Sequence, residues 1–178
     1  GLDLGNPVIV AASGLSADAE AVQKAVEHGA GAVVLKSLFE EQLRSDMSEV
    51  GDLDMGAHPE AAAFLEEMGL YGGSNEYLET IRKAKAAAGA VPLIASVNCI
   101  KGELWVDFAE QIEAAGADAL ELNIAPFPAS AGIESKEVED SVVSIVRNVS
   151  VRTKLPIAVK LGQNYTNLFS LTERLSGA

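Results

Sequence analysis

An α/β fold on a parallel sheet is the architecture this sequence predicts. Short apolar runs rich in β-branched residues alternate with longer amphipathic segments. The order, strand then helix, recurs five times, which is the pattern of right-handed βαβ units. A Gly-Ala turn also recurs ahead of two of the strands: His28-Gly-Ala-Gly-Ala-Val-Val-Leu-Lys36 is similar to Ala115-Gly-Ala-Asp-Ala-Leu-Glu-Leu-Asn123.

Pro7–Ala12 is compact and apolar without polar alternation, so it reads as a buried strand. Asp18–His28 reads as a helix with Ala21, Val22, Ala25 and Val26 on one side, and Gly29 stops it. Ala32–Leu35 is a second buried strand. Then follow a helix over Glu76–Ala88, a strand over Leu93–Val97, a helix over Leu104–Ala115 and a strand over Ala119–Leu122. Lys136–Val151 is a helix, Ile157–Leu161 a strand and Thr166–Ser176 a last helix. Pro92 and Pro156 stand where strands begin and so cost no interior ladder bond. Residues 40–75, polar and containing Gly and Met, separate the second strand from its helix. So long a connection suits a functional role.

Recurrence of one unit favours a (β/α) barrel. A barrel of eight units needs about 250 residues, and this chain has 178. The expectation is a single domain over residues 1–178 that supplies the first five units of a (β/α)8 TIM barrel and forms the N-terminal part of a longer protein. A self-contained five-stranded flavodoxin-like sheet is the alternative. An open half-barrel exposes sheet edges, so a homo-oligomer is expected of the isolated chain.

Composition narrows the class. Lys and Arg total 13 against 26 Asp and Glu, a net charge of −13, which argues against nucleic acid as a partner. Hydrophobic residues make up 48%, enough for a sizeable core, yet no apolar run reaches the roughly 20 residues of a membrane helix. The single cysteine, Cys99, fits a reducing compartment, and no secretion signal opens the chain, so a cytoplasmic protein is expected.

Every expected strand runs into a polar residue: Ser13 and Gly14, Lys36 and Ser37, Asn98, Asn123, Lys160. In α/β barrels these ends converge on one mouth, where the active site lies. Two lysines on buried runs and two asparagines would make a donor-rich pocket for an anionic or carbonyl-rich small molecule. Other motifs are weaker. Gly29-Ala-Gly31 precedes a strand and opens no helix, so it is no dinucleotide fingerprint. His28 and His58 lack a metal-ligand spacing, and Cys99 reads as an inert thiol.

The combination of Asn6-Pro-Val-Ile-Val-Ala-Ala-Ser-Gly14, Leu35-Lys-Ser37, Met68-Gly-Leu70, Leu120-Glu-Leu-Asn123 and Pro156-Ile-Ala-Val-Lys-Leu161 resembles the dihydroorotate dehydrogenases in order and spacing. The resemblance implies an FMN-containing (β/α)8 barrel that oxidises dihydroorotate to orotate in pyrimidine synthesis. It implies that the Ala12-Ser13-Gly14 backbone lies against the flavin and that Lys36, with Ser37 beside it, sits where flavin and substrate carboxylate meet. Asn98 and Asn123 would bond flavin or substrate, and Lys160 would stand near the flavin's N1 and O2 edge. Met68, Gly69 and Leu70 would line the substrate cavity, with residues 40–75 as a lid over the mouth.

The departures from the family pattern are on the substrate side. After the fourth strand the family reads Asn, apolar, Ser, Cys or Ser, Pro, Asn, and the Cys or Ser is the general base. Here the run is Asn123-Ile-Ala-Pro-Phe-Pro128, with Pro126 at the base position. Proline cannot transfer a proton. Glu66 and Gly72 replace the asparagines that flank Met-Gly-Leu. A related flavin oxidoreductase with another substrate or base, Ser130 or Cys99, is one reading. A flavin-binding or structural barrel without that catalysis is the other. A tRNA dihydrouridine synthase shares the flavin barrel, but the acidic balance and the lack of a basic patch count against it.

Overall fold

The computed structural model describes residues 1–39, 75–98, 102–126 and 130–178, and the side chains of 102–107 are not among those described. Six parallel strands form one sheet: β1 (Ile9–Val10), β2 (Ala32–Val34), β3 (Leu38–Phe39), β4 (Leu93–Asn98), β5 (Ala119–Asn123) and β6 (Ile157–Lys160). The order is β1-β2-β4-β5-β6, with β3 also on β4. The helices are α1 (Ala19–Glu27), α2 (described over 75–88), α3 (Gly102–Ala115), α4 (Ser135–Ser150) and α5 (Leu168–Ser176).

One large apolar cluster collects Val22 of α1, Ile81 of α2, Ile112 of α3, Val142 of α4 and Leu175 of α5 against Val33, Leu35, Leu93, Ala95, Val97, Leu120 and Leu122 of the sheet. The intervening strand residues, Ala32, Val34, Ile94 and Ala119, form a second cluster with Leu2, Leu4 and Ala12. Successive strand residues thus point to opposite faces, and all the described helices lie on one of them. Both faces being apolar explains why the strands read as continuous hydrophobic runs. Sequential strand order with helices on a single face is the winding of a barrel, and this chain forms a half-barrel of parallel strands. A doubly wound, flavodoxin-like sheet would reverse its strand order and carry helices on both faces.

The sequence expectations fail at the first strand. It is two residues long; Ile9 is 45% exposed and the preceding Val8 61%, at the edge of the open sheet, while Val10 is partly buried against the core. Lys36 and Lys160 are likewise exposed, contrary to the expectation of lysines on buried runs. They stand at strand ends, and β6 is the other edge of the sheet.

The helix ends follow from local chemistry. Asp18 caps α1 by accepting from the Ala21 N–H at 2.9 Å, and Asn167 caps α5 by accepting from Ser170. Gly29, Gly89 and Gly116, which follow α1, α2 and α3, all have positive φ (87°, 58° and 98°). The Gly-Ala repeat is therefore a repeated left-handed helix stop.

The N-terminal end of the sheet is tied by side chains. One carboxylate oxygen of Asp118 accepts from Lys85 of α2 at 2.6 Å and from the Leu93 N–H that opens β4 at 2.8 Å. Glu113 of α3 accepts from the Thr153 hydroxyl at 2.5 Å and the Lys154 N–H at 2.9 Å, anchoring the approach to β6. Asn6 donates to the Gly29 carbonyl and accepts from the Val8 N–H, which folds the N-terminal segment against Gly31. Among the described residues no helix is long and apolar enough to cross a membrane.

Substitutions at these ties differ in kind. A Cβ on Gly31 would stand 2.1 Å from the Asn6 carbonyl oxygen. Gly31→Ala should cost about 1–3 kcal/mol, as overpacking does, and chemical denaturation measures it. Gly89→Ala, which meets no neighbour, should cost only the left-handed strain of about 1–2 kcal/mol. The hydrogen bonds from Thr153 and then Lys154 hold the Glu113 carboxyl below its usual range. A lowered folded-state pKa gives stability that is present above the ordinary glutamate value and is lost as pH falls through the lower, folded-state value. Glu113→Gln should flatten that part of the acid limb in a pH series of denaturation midpoints.

Candidate functional site at the strand ends

The C-terminal ends of the strands are built differently from the rest of the sheet. After β1 the chain makes a tight turn over Gly14–Ser16, in which the Ser13 hydroxyl accepts from the Leu15 N–H and the fully buried Ser16 hydroxyl accepts from the Ser13 N–H. Gly14 has a negative φ, and a Cβ there would meet nothing within 4 Å among the described residues. Gly14 also lines a cavity of about 560 Å3 with Leu15, Ala21, Lys24 and His28, on the α1 side.

The second strand is broken by one extra residue. Val34 pairs with Ile94, and pairing resumes with Leu38 on Val97. Three residues, Leu35, Lys36 and Ser37, therefore oppose two, Ala95 and Ser96, which is a bulge in parallel pairing. The backbone hydrogen bonds agree. Leu35 donates to the Ile94 carbonyl on β4, whereas Lys36 donates to the Ser16 carbonyl in the turn after β1. Both backbone groups of Ser96 are satisfied by Tyr77 of α2, whose hydroxyl donates to the Ser96 carbonyl at 2.9 Å and accepts from the Ser96 N–H at 3.0 Å. A phenol thus replaces a rung of the sheet beside the bulge.

Alternation then places the polar side chains. Leu93, Ala95, Val97, Leu120, Leu122, Ile157 and Val159 face the helices, so Ser96, Asn98, Glu121, Asn123, Ala158 and Lys160 belong to the opposite, concave face. Alternation does not carry through the bulge to Lys36: Leu35 and Leu38 both face the helices, and Ser37 reaches Ser96 on the concave face. Asn98, Asn123 and Lys160 are thereby brought to one face at one end of the sheet, with Lys36 in the neighbouring bulge, and Asn123 is the register partner of Lys160. Below them runs a polar chain. Ser37 and Ser96 have their hydroxyls 2.7 Å apart, Ser96 donates to Glu121 Oε1 at 2.8 Å, and Lys160 Nζ lies 4.0 Å from the same oxygen. A carboxylate only accepts and a serine has one proton, so the order of donation is Ser37 to Ser96 to Glu121. Lys36 makes no ion pair among the described residues.

Three of these residues, Tyr77, Ser96 and Glu121, were missed by strand-end reasoning. The signal was present for two of them: Ser96 and Glu121 interrupt apolar runs two positions before Asn98 and Asn123, the spacing of one strand face. Pro126 is exposed and lines a cavity of about 420 Å3 beside the ends of β5 and β6, with Ser135, Tyr165 and Thr166. Burial and then the Glu139 carboxylate push the Tyr165 hydroxyl above its ordinary value. Ser130 is exposed, and its hydroxyl accepts from the Gly132 N–H. Met68, Gly69, Leu70, Glu66, Gly72, His58, Cys99, Pro128 and residues 40–74 of the expected lid lie outside the described residues. Among the described residues no group of His, Cys, Asp or Glu could hold a metal ion.

Tyr77→Phe leaves the backbone N–H and C=O of buried Ser96 without their partner. It should cost about 2–4 kcal/mol in denaturant unfolding, since an unsatisfied buried group costs about 1–3 kcal/mol.

Comparison with known proteins agrees with this architecture. Dihydroorotate dehydrogenase B (NAD(+)), catalytic subunit, of Thermoplasma volcanium is 28% identical over 181 residues, covering 97% of this chain and 56% of that protein. The protein of the same name from Methanocella arvoryzae is 32% identical over 178 residues, covering 94% of this chain and 53% of that protein. The chain thus spans about half the length of the curated relatives it matches. Among solved structures, dihydrodipicolinate synthase from Bacillus clausii superposes with a TM-score of 0.57 at 14% identity, covering 96% of this chain and 50% of that one, which is a likeness of fold. The profile of the family described as dihydroorotate dehydrogenase matches residues 1–173. With nearly its whole length matched and its polar strand ends gathered on one concave face, the chain belongs to the dihydroorotate dehydrogenase family.

Proposed function

We propose that the full-length protein is an FMN-dependent oxidoreductase of the dihydroorotate dehydrogenase type, acting on a CH–CH bond of a small, cyclic, carbonyl-rich substrate. The observation that carries this reading is the gathering of Asn98, Asn123 and Lys160 on the concave face, with Lys36 in the bulge beside them, in a chain matched to that family over residues 1–173. Dihydroorotate is the first substrate to test, since relatives such as the Thermoplasma volcanium protein bear that enzyme's name.

The donor set suits FMN. Two ammonium groups supply positive charge where a reduced flavin and a substrate carboxylate are negative, and two amides can both donate and accept along a carbonyl-rich edge. Ser13 and Gly14 are exposed, so in this reading their backbone is free to meet a planar group. FMN, when bound, supplies a two-electron acceptor. In this reading Lys160, Asn98 and Asn123 hold the flavin, Lys36 orients the substrate, and Ser37 fixes the bulge that carries Lys36. Met68, Gly69 and Leu70 are assigned to the substrate cavity by the family pattern alone.

Pro126 supports a second reading, that of a non-catalytic flavin-binding or structural barrel. It has no proton to exchange at the place where the family carries its base. A substrate that needs no base at that position keeps the enzyme reading intact.

The visible absorption spectrum of the purified full-length protein, reconstituted with FMN and then given dihydroorotate without oxygen, decides among these. Bleaching of a flavin spectrum is expected for a dihydroorotate dehydrogenase. A flavin spectrum that persists keeps the cofactor and removes that substrate, and no flavin uptake removes the oxidoreductase reading. Lys160→Ala should weaken FMN binding about tenfold, the equivalent of about 1.4 kcal/mol, and lower the flavin potential. Unchanged affinity and potential would remove Lys160 from the flavin edge.

A further inference from the structure

We infer that Glu121 is the positioning residue of the strand-end cluster: one carboxylate oxygen holds Lys160 on one side and the Ser96–Ser37 arm of the bulge on the other. The inference adds a residue to the flavin site and, for its effect on FMN, rests on the reading proposed above.

Glu121 sits in the middle of β5, where the helix-facing neighbours Leu120 and Leu122 are fully buried and apolar. Its own side chain is 17% exposed, while that of Lys160 is 51% exposed. The carboxylate is thus the fixed member of the pair and the lysine the freer one. Its register partners are small, Ser96 on β4 and Ala158 on β6, so the concave face leaves room for it. A half-buried carboxylate is tolerated only with partners, and those given to Glu121 span three strands. Ser96 is on β4, Lys160 on β6, and Ser37 reaches it through Ser96 from the bulge after β2. The bulge sets the direction of Lys36, so one oxygen links the places of both cations. The half-buried carboxylate clamp of Asp118 with Lys85 lies at the opposite end of the strands and cannot substitute.

Position and charge predict opposite signs for the flavin. Were Glu121 only a nearby negative charge, Glu121→Gln would raise the flavin potential. As the residue that holds Lys160, its loss frees the ammonium group, and the potential should fall, as in Lys160→Ala. The glutamine still accepts from Ser96, so this variant separates the Lys160 contact from the serine arm.

The experiment is a double-mutant cycle on the full-length protein with Glu121→Gln, Lys160→Ala and both together, and with Ser96→Ala as a variant that cuts the other arm. It is read twice: by denaturant unfolding without FMN, and by FMN dissociation constant and midpoint potential with it. Expected without FMN is non-additivity of about twofold or more in the unfolding constant, the low end for residues in one network. Expected with FMN is binding weakened about three- to tenfold by Glu121→Gln, a lowered potential, and a smaller effect of Lys160→Ala in the Glu121→Gln background than in the wild type. An additive unfolding cycle, or a raised potential in Glu121→Gln, overturns the inference. Coupled unfolding in a wild-type protein that takes up no FMN overturns the proposed function and supports Glu121 as the residue that places Lys160. Should Glu121→Gln fail to fold, Ser96→Ala must still weaken FMN binding by about twofold or more; unchanged binding overturns the inference.

Discussion

All the described helices pack on one face of the sheet, and strand residues must alternate between faces. Those two facts together decide where chemistry is possible. The helix-facing positions are committed to apolar packing along their whole length. Only the concave face can change character along the strand, and it does so in layers. Ala32, Val34, Ile94 and Ala119 close its N-terminal part with Leu2 and Leu4. Ser96 and Glu121 come next, level with the bulge that holds Lys36, and Asn98, Asn123 and Lys160 stand at the end. The gradient from apolar to charged over a few residues is the same on neighbouring strands, since parallel register carries it across the sheet.

The two ends of the sheet use polar groups for different purposes. At the N-terminal end Asp118 and Glu113 each collect two donors from separate elements, which ties helices and loops to strand starts. Such contacts stabilise the fold and leave little donor capacity free. At the C-terminal end Lys36 has no ion pair among the described residues and Lys160 only a long one. Barrel proteins separate stability and function along the strand axis in this way. The bulge is the exception that joins the two: it costs a rung of the ladder, and Tyr77 restores that rung from a helix.

Family membership and substrate are separate matters in this chain. The residues that face a flavin in the family pattern are present at the strand ends, whereas Pro126, Glu66 and Gly72 replace groups that the pattern assigns to substrate and base. A fold hosts many chemistries because loops vary while strands are held by packing. That asymmetry fits Asn123 and Pro126: β5 keeps the pattern to its last residue, and the departure comes after the strand has ended.

The class of fold, the element order and the strand-end residues were legible in the bare chain. Those are local properties: β-branched runs make strands, and Gly29, Gly89 and Gly116 stop helices because only glycine adopts their backbone without strain. The caps at Asp18 and Asn167 were not read from the chain, which placed both residues inside the helices they open. The repeated unit favoured a barrel over a doubly wound sheet, and the strand order, a long-range property that no local pattern encodes, bears the barrel out. The exposure of the first strand was misread, because PVIVAA looks alike on an edge and in a centre. The bulge at Lys36, the Tyr77 rung and the Ser37–Ser96–Glu121–Lys160 chain arose only from the folded arrangement. Each joins residues far apart in sequence, 19 positions for Tyr77 and Ser96 and 59 for Ser37 and Ser96. Strand register brings Ser37, Ser96 and Glu121 within hydrogen-bonding distance and Lys160 to 4.0 Å from Glu121, and helix packing brings Tyr77 to Ser96.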